Sequence, residues 1–300
     1  MKKYTSEKEN EKPHPENAGA QDLPAGLYLV ATPIGNLRDI SLRALDVLKA
    51  VDGLLCEDTR VTRKLLGAYG VDGKKLVSYN DHSDEAARDR VLERLAKGER
   101  LALVSDAGMP LVSDPGYKLV RACVAQGIYV TSVPGASAPL MALQLSGFPS
   151  DKFCFLGFLP PKSAARRKVL EGWRHVQGSL IAFETAPRLL DALADIAAVY
   201  GGRQVAVARE LTKFFEEVRR GDALALVRYY QDKGLPKGEI VLVIAPDEGG
   251  GMPSDEEIAE RLRAAMGTMS VKEAAAFVAA ETGAARKKIY EMALDLKKGK

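Results

Sequence analysis

Residues 26–60 read GLYLVATPIGNLRDISLRALDVLKAVDGLLCEDTR. LYLVAT (27–32) is a short apolar run with strand character, ended by Pro33 and Gly35. Ser41 stands where a helix cap belongs, and Leu42, Leu45, Val47 and Leu48 follow at helical spacing. GLLCE (53–57) is a second apolar run. A strand, an amphipathic helix and another strand in so short a stretch predict a βαβ unit, and with it a parallel sheet.

The alternation continues outward. The pattern predicts helices over 59–69, 83–98, 116–126 and 137–146, with strands at 76–78, 101–108 and 128–135. This describes a parallel-sheet α/β domain over 26–148. Its seam falls at the Gly/Pro/Ser cluster SGFPSD (146–151). Strands are denser beyond it, at 153–158, 179–185, 204–210, 214–221 and 238–246, with helices at 162–176, 187–200 and 222–232. A mixed α+β second domain over 149–247 is expected. Three short helices over 254–266, 270–282 and 285–296 make residues 248–300 a helical segment. The Thr282-Gly283 step hints at a helix-turn-helix, but a plain appendage packed on the body is the simpler expectation. Residues 1–25 are polar and without periodicity, the signature of a disordered tail.

The bulk numbers exclude several classes. The 300 residues are 46% hydrophobic and 28% charged, an ordinary globular composition. No apolar run approaches the roughly 20 residues that span a bilayer, and the polar start carries no secretory signal. Cys56, Cys123 and Cys154 lie far apart, and the three histidines are scattered. No metal site and a reduced, cytoplasmic compartment are expected. The net charge of +3 permits an anionic partner without demanding one. No dinucleotide fingerprint or phosphate-binding Walker loop is present.

In an open parallel sheet, ligands bind at the carboxyl ends of the strands. The loops there are ATPIGN (31–36), EDTR (57–60), SDAGMPLVSDPG (105–116) and VPGASA (133–138). In the first, Pro33 stiffens the turn and Gly35 allows close approach to the backbone, although an ordinary βα turn reads the same way. SDAGMPLVSDPG is longer than the roughly 2–6 residues a simple connection needs, which marks it as functional. Asp106 suits either a ligand or a turn, while Asp114 reads as a cap for a helix beginning at Pro115. Glu57, Asp58 and Arg60 offer acid–base and phosphate-binding groups, or else a cap and a surface ion pair. His82, in NDHSDE, reads as a solvated loop histidine.

Together with FLGFLPPK, FETAPRL and ARELTK, taken in this order, these loops resemble the tetrapyrrole (corrin/porphyrin) methylase superfamily. Within it the chain is similar to the branch that acts on ribosomal RNA. The resemblance implies an α/β, two-domain fold with S-adenosylmethionine in the cleft, usually in a homodimer. It also implies methyl transfer to the ribose 2′-hydroxyl of a cytidine in the 16S RNA of the small ribosomal subunit, with no membrane or DNA partner. The cofactor contacts carried over are Pro33, Gly35, Asp106, Gly108, Ala136, Ser137, Glu184 and Leu211. Met109 departs from the threonine usual in the branch. A base for the weakly nucleophilic hydroxyl is sought among Glu57, Asp58, Asp106 and Lys213. Among the basic clusters, Arg60, Lys162, Arg166 and Arg167 are the expected RNA contacts. Two alternatives are a tetrapyrrole small-molecule methyltransferase and a non-catalytic ribosome-assembly factor.

Overall fold

The computed structural model describes residues 23–80, 85–174, 176–247, 255–282 and 284–298. The expected N-terminal tail lies outside these apart from its last three residues, and His82 and the first seven residues of the expected 248–300 segment lie outside them too.

Five strands, β1 (Gly26–Val30), β2 (Gly53–Cys56), β3 (Leu76–Ser78), β4 (Arg100–Val104) and β5 (Val130–Val133), form a parallel sheet in the order β3-β2-β4-β1-β5. Helices α1 (Leu42–Ala50), α2 (Thr59–Ala68), α3 (Glu85–Ala96) and α4 (Tyr117–Ala125) lie between them in sequence. Side chains alternate across a strand. Tyr28 and Val30 therefore bury with Val47 and Leu48 of α1, and Leu27 buries with Leu95 and Leu119 of α3 and α4. Burial on both faces explains the unbroken apolar runs. Ser41 caps α1 by accepting the Ala44 N–H at 3.1 Å.

The next helix, α5 (Ala138–Ser146), follows the first sheet in sequence but packs on the second. That sheet holds β6 (Phe153–Phe158), β7 (Ser179–Thr185), β8 (Gln204–Arg209), β9 (Glu217–Asp222) and β10 (Glu239–Ile244), in the order β6-β7-β10-β8-β9. β6 and β7 are parallel and the other pairs antiparallel. One face buries Leu180, Leu242 and Val207 against α6 (Ser163–Gly172), α7 (Leu189–Tyr200) and α8 (Ala223–Lys233). The other buries Ile181, Ala206 and Val241 against Ala142 and Leu143 of α5, with Ile34 from the loop after β1. Each such Leu or Ile is worth about 1.5–3 kcal/mol over its exposed state. The chain to Ala245 is thus one unit carrying two sheets.

Pro246–Lys300 is a second unit. Its helices α9 (Asp255–Met266), α10 (Val271–Thr282) and α11 (Arg286–Lys297) share a core of Ile258, Leu262, Val278 and Ile289. Ser270 and Glu273 form a capping box at α10: the Ser270 N–H reaches Glu273 at 3.1 Å and the Glu273 N–H reaches the Ser270 hydroxyl at 3.3 Å.

Arg166, expected at an RNA surface, is only 2% exposed. Its Nε donates to Asp195 of α7 at 2.7 Å, and its Nη1 donates to the Pro160 and Pro161 carbonyls at 3.3 and 3.4 Å. Arg166 lies one helical turn before Leu170 and so falls on the buried face of α6. Asp195 also accepts Ser163 at 2.8 Å and Arg167 at 2.5 Å. Burial pushes the Asp195 pKa up, but the bonds from Arg167, Ser163 and Arg166 outweigh it and hold the carboxyl below its ordinary value. Replacing Asp195 with Ala strands the Arg166 charge. The expected loss is about 3–5 kcal/mol of stability by urea unfolding, whereas a loss below about 1 kcal/mol would mean that the pair behaves as an exposed one.

Candidate active site

The site begins where β1 and β4 end. Thr32 and Gly108 form a two-bond bridge, with N–H to O distances of 3.0 and 3.1 Å, and the Thr32 hydroxyl donates to the Ser105 carbonyl at 3.0 Å. This ties the loop after β1 to the long loop after β4. Gly108 sits at φ +87°, and a Cβ there would come within 3.2 Å of Ile34, so glycine is needed for both backbone and space. In the same loop Leu111 and Ser113 adopt φ of 69° and 64°. Glu210 and Thr212 are the other non-glycine residues at positive φ among those described. Strain of this kind costs about 1–3 kcal/mol per residue and persists only where surrounding structure enforces it.

Between these loops and the second sheet lies a cavity of about 330 Å³. The first sheet contributes Ile34, Asp106, Gly108, Met109, Asp114 and Ser137, among others. The second contributes Phe158, Phe183, Glu184, Glu239 and Val241, among others. The walls are largely apolar. Among the described residues, every charged one in the lining is a carboxylate, namely Asp106, Asp114, Glu184 and Glu239.

Burial sets the character of three of these acids. It raises the pKa of Asp106, against a hydrogen bond from the Asp58 N–H that lowers it. It raises that of Asp114, whose carboxylate is hydrogen-bonded to the Ser105 hydroxyl. Asp114 therefore does not cap the following helix: Gly116 occupies the cap position of α4 without a side-chain bond. Burial also raises the pKa of Glu184, partly offset by the Thr185 N–H at 2.8 Å and by Arg188 at 3.1 Å. Arg188 in turn donates to the Leu159 carbonyl, which joins the FETAPR and FLPPK segments.

Of the expected site residues, Asp106, Gly108, Ser137 and Glu184 line the cavity. Pro33 and Leu211 are buried outside its lining. Gly35 serves packing between segments, since a Cβ there would lie 2.8 Å from the Thr212 hydroxyl and 3.1 Å from the Leu211 carbonyl. Ala136 is outside the lining as well; its carbonyl lies 3.6 Å from where a Gly108 Cβ would sit. Asp58 accepts the Arg60 N–H at 2.8 Å as the cap of α2. Its carboxyl, bonded to the Arg60 side chain and backbone, is held down at about 2, which leaves it a weak base. Glu57 is exposed and outside the lining.

Lys213 pairs with Glu210 at 2.9 Å and Glu239 at 3.1 Å. Desolvation pulls its pKa down, but the two carboxylates outweigh it and leave the pKa raised. The lysine is thus held protonated, contrary to the expectation of a base. Lys162 is exposed at the start of α6, and Arg167, 52% exposed, is engaged with Asp195. Phe158 and the β10 residues were read as strand and missed as lining residues. A signal existed for Phe158: Gly157 inside a strand marks a bulge, and β6 shifts register between Phe155 and Phe158.

Residues 26–226 match the family model of the Tetrapyrrole (Corrin/Porphyrin) Methylases, and residues 252–297 match the RsmI C-terminal HTH domain. The C-terminal segment is helical as expected, and the model it matches is described as a helix-turn-helix domain. The chain is 50% identical to the ribosomal RNA small subunit methyltransferase I of Erythrobacter litoralis, over 93% of this chain and 98% of that protein. It is 45% identical to that of Mesorhizobium japonicum, over 93% and 94%. Among solved structures it is similar to a diphthine synthase, with TM-score 0.56 and 18% identity over 73% of this chain and 89% of that one. It is also similar to uroporphyrin-III C-methyltransferase from Thermus thermophilus complexed with S-adenyl homocysteine, with TM-score 0.51 and 16% identity over 73% and 97%. At those identities the solved structures speak for the fold alone. The chain belongs to the ribosomal RNA small subunit methyltransferase I family, within the tetrapyrrole methylases.

Proposed function

We propose that the chain transfers a methyl group from S-adenosylmethionine to the ribose 2′-hydroxyl of a cytidine in small-subunit ribosomal RNA. The observation that carries the donor assignment is the sign of the cavity. Among the described residues four carboxylates and no cation line it, which suits a ligand that brings positive charge and disfavours one that brings phosphates. The apolar walls suit a purine, and Gly108 provides the close backbone approach that a side chain would fill. When bound, S-adenosylmethionine supplies a methyl group already activated by the sulfonium charge. The acceptor class comes from the relatives, whose names specify small-subunit ribosomal RNA.

The chain's own part is alignment, exclusion of water and management of one proton. The apolar lining keeps water from the reacting centre. Of the four groups considered as base, only Asp106 lines the cavity. Its raised pKa makes it a better proton acceptor than an ordinary aspartate. Asp58 contributes its backbone N–H, at 3.3 Å from Asp106 Oδ1, and so orients the carboxylate. Lys213 fixes Glu239 at the rim.

Labelled S-adenosylmethionine incubated with small ribosomal subunits lacking the modification should place label on the 2′-oxygen of one cytidine, seen by nuclease mapping. Label on a base, or none on the subunits, would refute the acceptor assignment. Asp106→Asn keeps an oxygen for the Asp58 N–H while removing the base. At saturating donor and subunits, kcat should fall about 10²–10⁴-fold. The wild-type kcat/KM for the donor, which reports the unliganded protein, should rise with pH through a pKa displaced above that of an ordinary aspartate, and the variant should lack this rise. An unchanged kcat would mean that alignment alone carries the reaction.

A further inference from the structure

Lys237 and Gly238 are adjacent in the chain yet line different concavities. Gly238 lines the acidic cavity, and Lys237 lines a second groove of about 360 Å³. That groove has the opposite character. Among the described residues, Arg209, Lys233 and Lys237 line it against one carboxylate, Glu217, and its aromatic walls include Phe215 and Tyr229.

The loop that supplies Phe215 is built to expose it. Phe214 is 93% exposed and Phe215 64%, and their rings meet edge to face with centroids 5.0 Å apart. Two neighbouring phenylalanines in water would ordinarily be buried. Here the preceding turn is fixed by left-handed Glu210 and Thr212, by the Thr212 N–H donating to Glu216 at 2.7 Å, and by Lys213 bridging Glu210 and Glu239. The strained turn therefore holds the rings in a set place. Tyr229 already carries the Arg219 guanidinium over its ring at 3.8 Å, and Arg209 is paired with Glu217 at 2.8 Å. Lys233 is 3.5 Å from Asp232 with both side chains largely exposed, and Lys237 is exposed. An ion pair so exposed is worth little and yields readily to a phosphate.

Aromatic faces beside solvated cations are the chemistry that binds single-stranded nucleic acid: bases stack on the rings and the backbone follows the charge. We propose that this groove holds a single-stranded stretch of the acceptor RNA, with a base on Phe215, the exposed Phe214 ring beside it at the edge, and phosphates near Lys233 and Lys237. The target ribose is thereby delivered to the neighbouring cavity, an inference that rests on the donor assignment made above. The two concavities divide the charges of the reaction, a cationic donor in the acidic one and an anionic acceptor in the basic one.

The test uses the full-length protein and a fluorescein-labelled single-stranded RNA of about ten nucleotides, within the span such sites cover. Phe215→Ala should weaken binding roughly 5- to 150-fold, the range for one lost stacked base. The double variant Lys233→Gln/Lys237→Gln should weaken binding and reduce the salt slope by about 1.4, for two phosphate contacts on a single strand. Donor affinity by calorimetry should stay within about twofold in every variant, because none of these residues lines the acidic cavity. With small subunits as acceptor, Phe215→Ala should raise KM more than it lowers kcat. Equal RNA affinity and salt slope in wild type and variants would overturn the proposal. So would a change of sedimenting mass in place of RNA affinity, since the groove would then be covered by a second copy. Wild-type protein that binds the RNA through this groove but takes no donor would bring down the donor assignment instead, so the two failures are distinguishable.

Discussion

The loop ends of one sheet must be held against the face of another, and an apolar layer does this. Ile34, Leu211, Ala142 and Leu143 bury with Ile181, Ala206 and Val241. Without that layer the carboxyl ends of β1, β4 and β5 would face solvent, as in an ordinary open sheet. With it, the long loop after β4 meets the β7 and β10 residues across a cavity. The Thr32–Gly108 bridge ties the two loops of the first sheet together, and the close fit of Gly35 against Thr212 sets them against the second sheet's side. Strain at Leu111, Ser113, Glu210 and Thr212 is confined to the two loops that this packing clamps.

Electrostatics then assign each concavity. Three of the cavity acids have raised pKa values, chiefly through burial. They are costly to ionise without a positive partner, and a cationic ligand supplies one. The neighbouring groove holds Lys233 and Lys237 at the surface, where they remain hydrated and exchangeable. Arg166 is the contrasting case, a guanidinium fully committed to Asp195 and the Pro160-Pro161 backbone, so that its charge serves the fold.

Much of the fold was legible because both-face burial writes itself as apolar runs, and βαβ spacing leaves few topologies. The long SDAGMPLVSDPG loop was legible as a candidate site for the same local reasons, its length and its glycines, and it lines the cavity. What sequence hid was direction. Arg166 reads as one member of a basic cluster, yet its spacing to Leu170 puts it on the buried face of α6. Asp114 sits where a cap belongs but turns back nine residues to Ser105. Pro33 and Leu211 lie in the right segments and stand outside the cavity lining. Lys213 looks like a free lysine until the fold brings Glu239, distant in sequence, beside Glu210. The Phe214-Phe215 pair reads as part of a short strand and becomes informative only once its exposure is known.

The most direct measurement is a calorimetric titration of the full-length protein with S-adenosylmethionine, in two buffers of different protonation enthalpy and at several pH values. A cation among carboxylates of raised pKa favours their ionised forms. Binding should therefore saturate at one donor per chain, release protons below neutral pH, and weaken as pH falls. Nucleotides that carry phosphates should give no comparable heat. Absence of donor binding, or equal binding of a nucleoside triphosphate, would contradict the assignment of the acidic cavity.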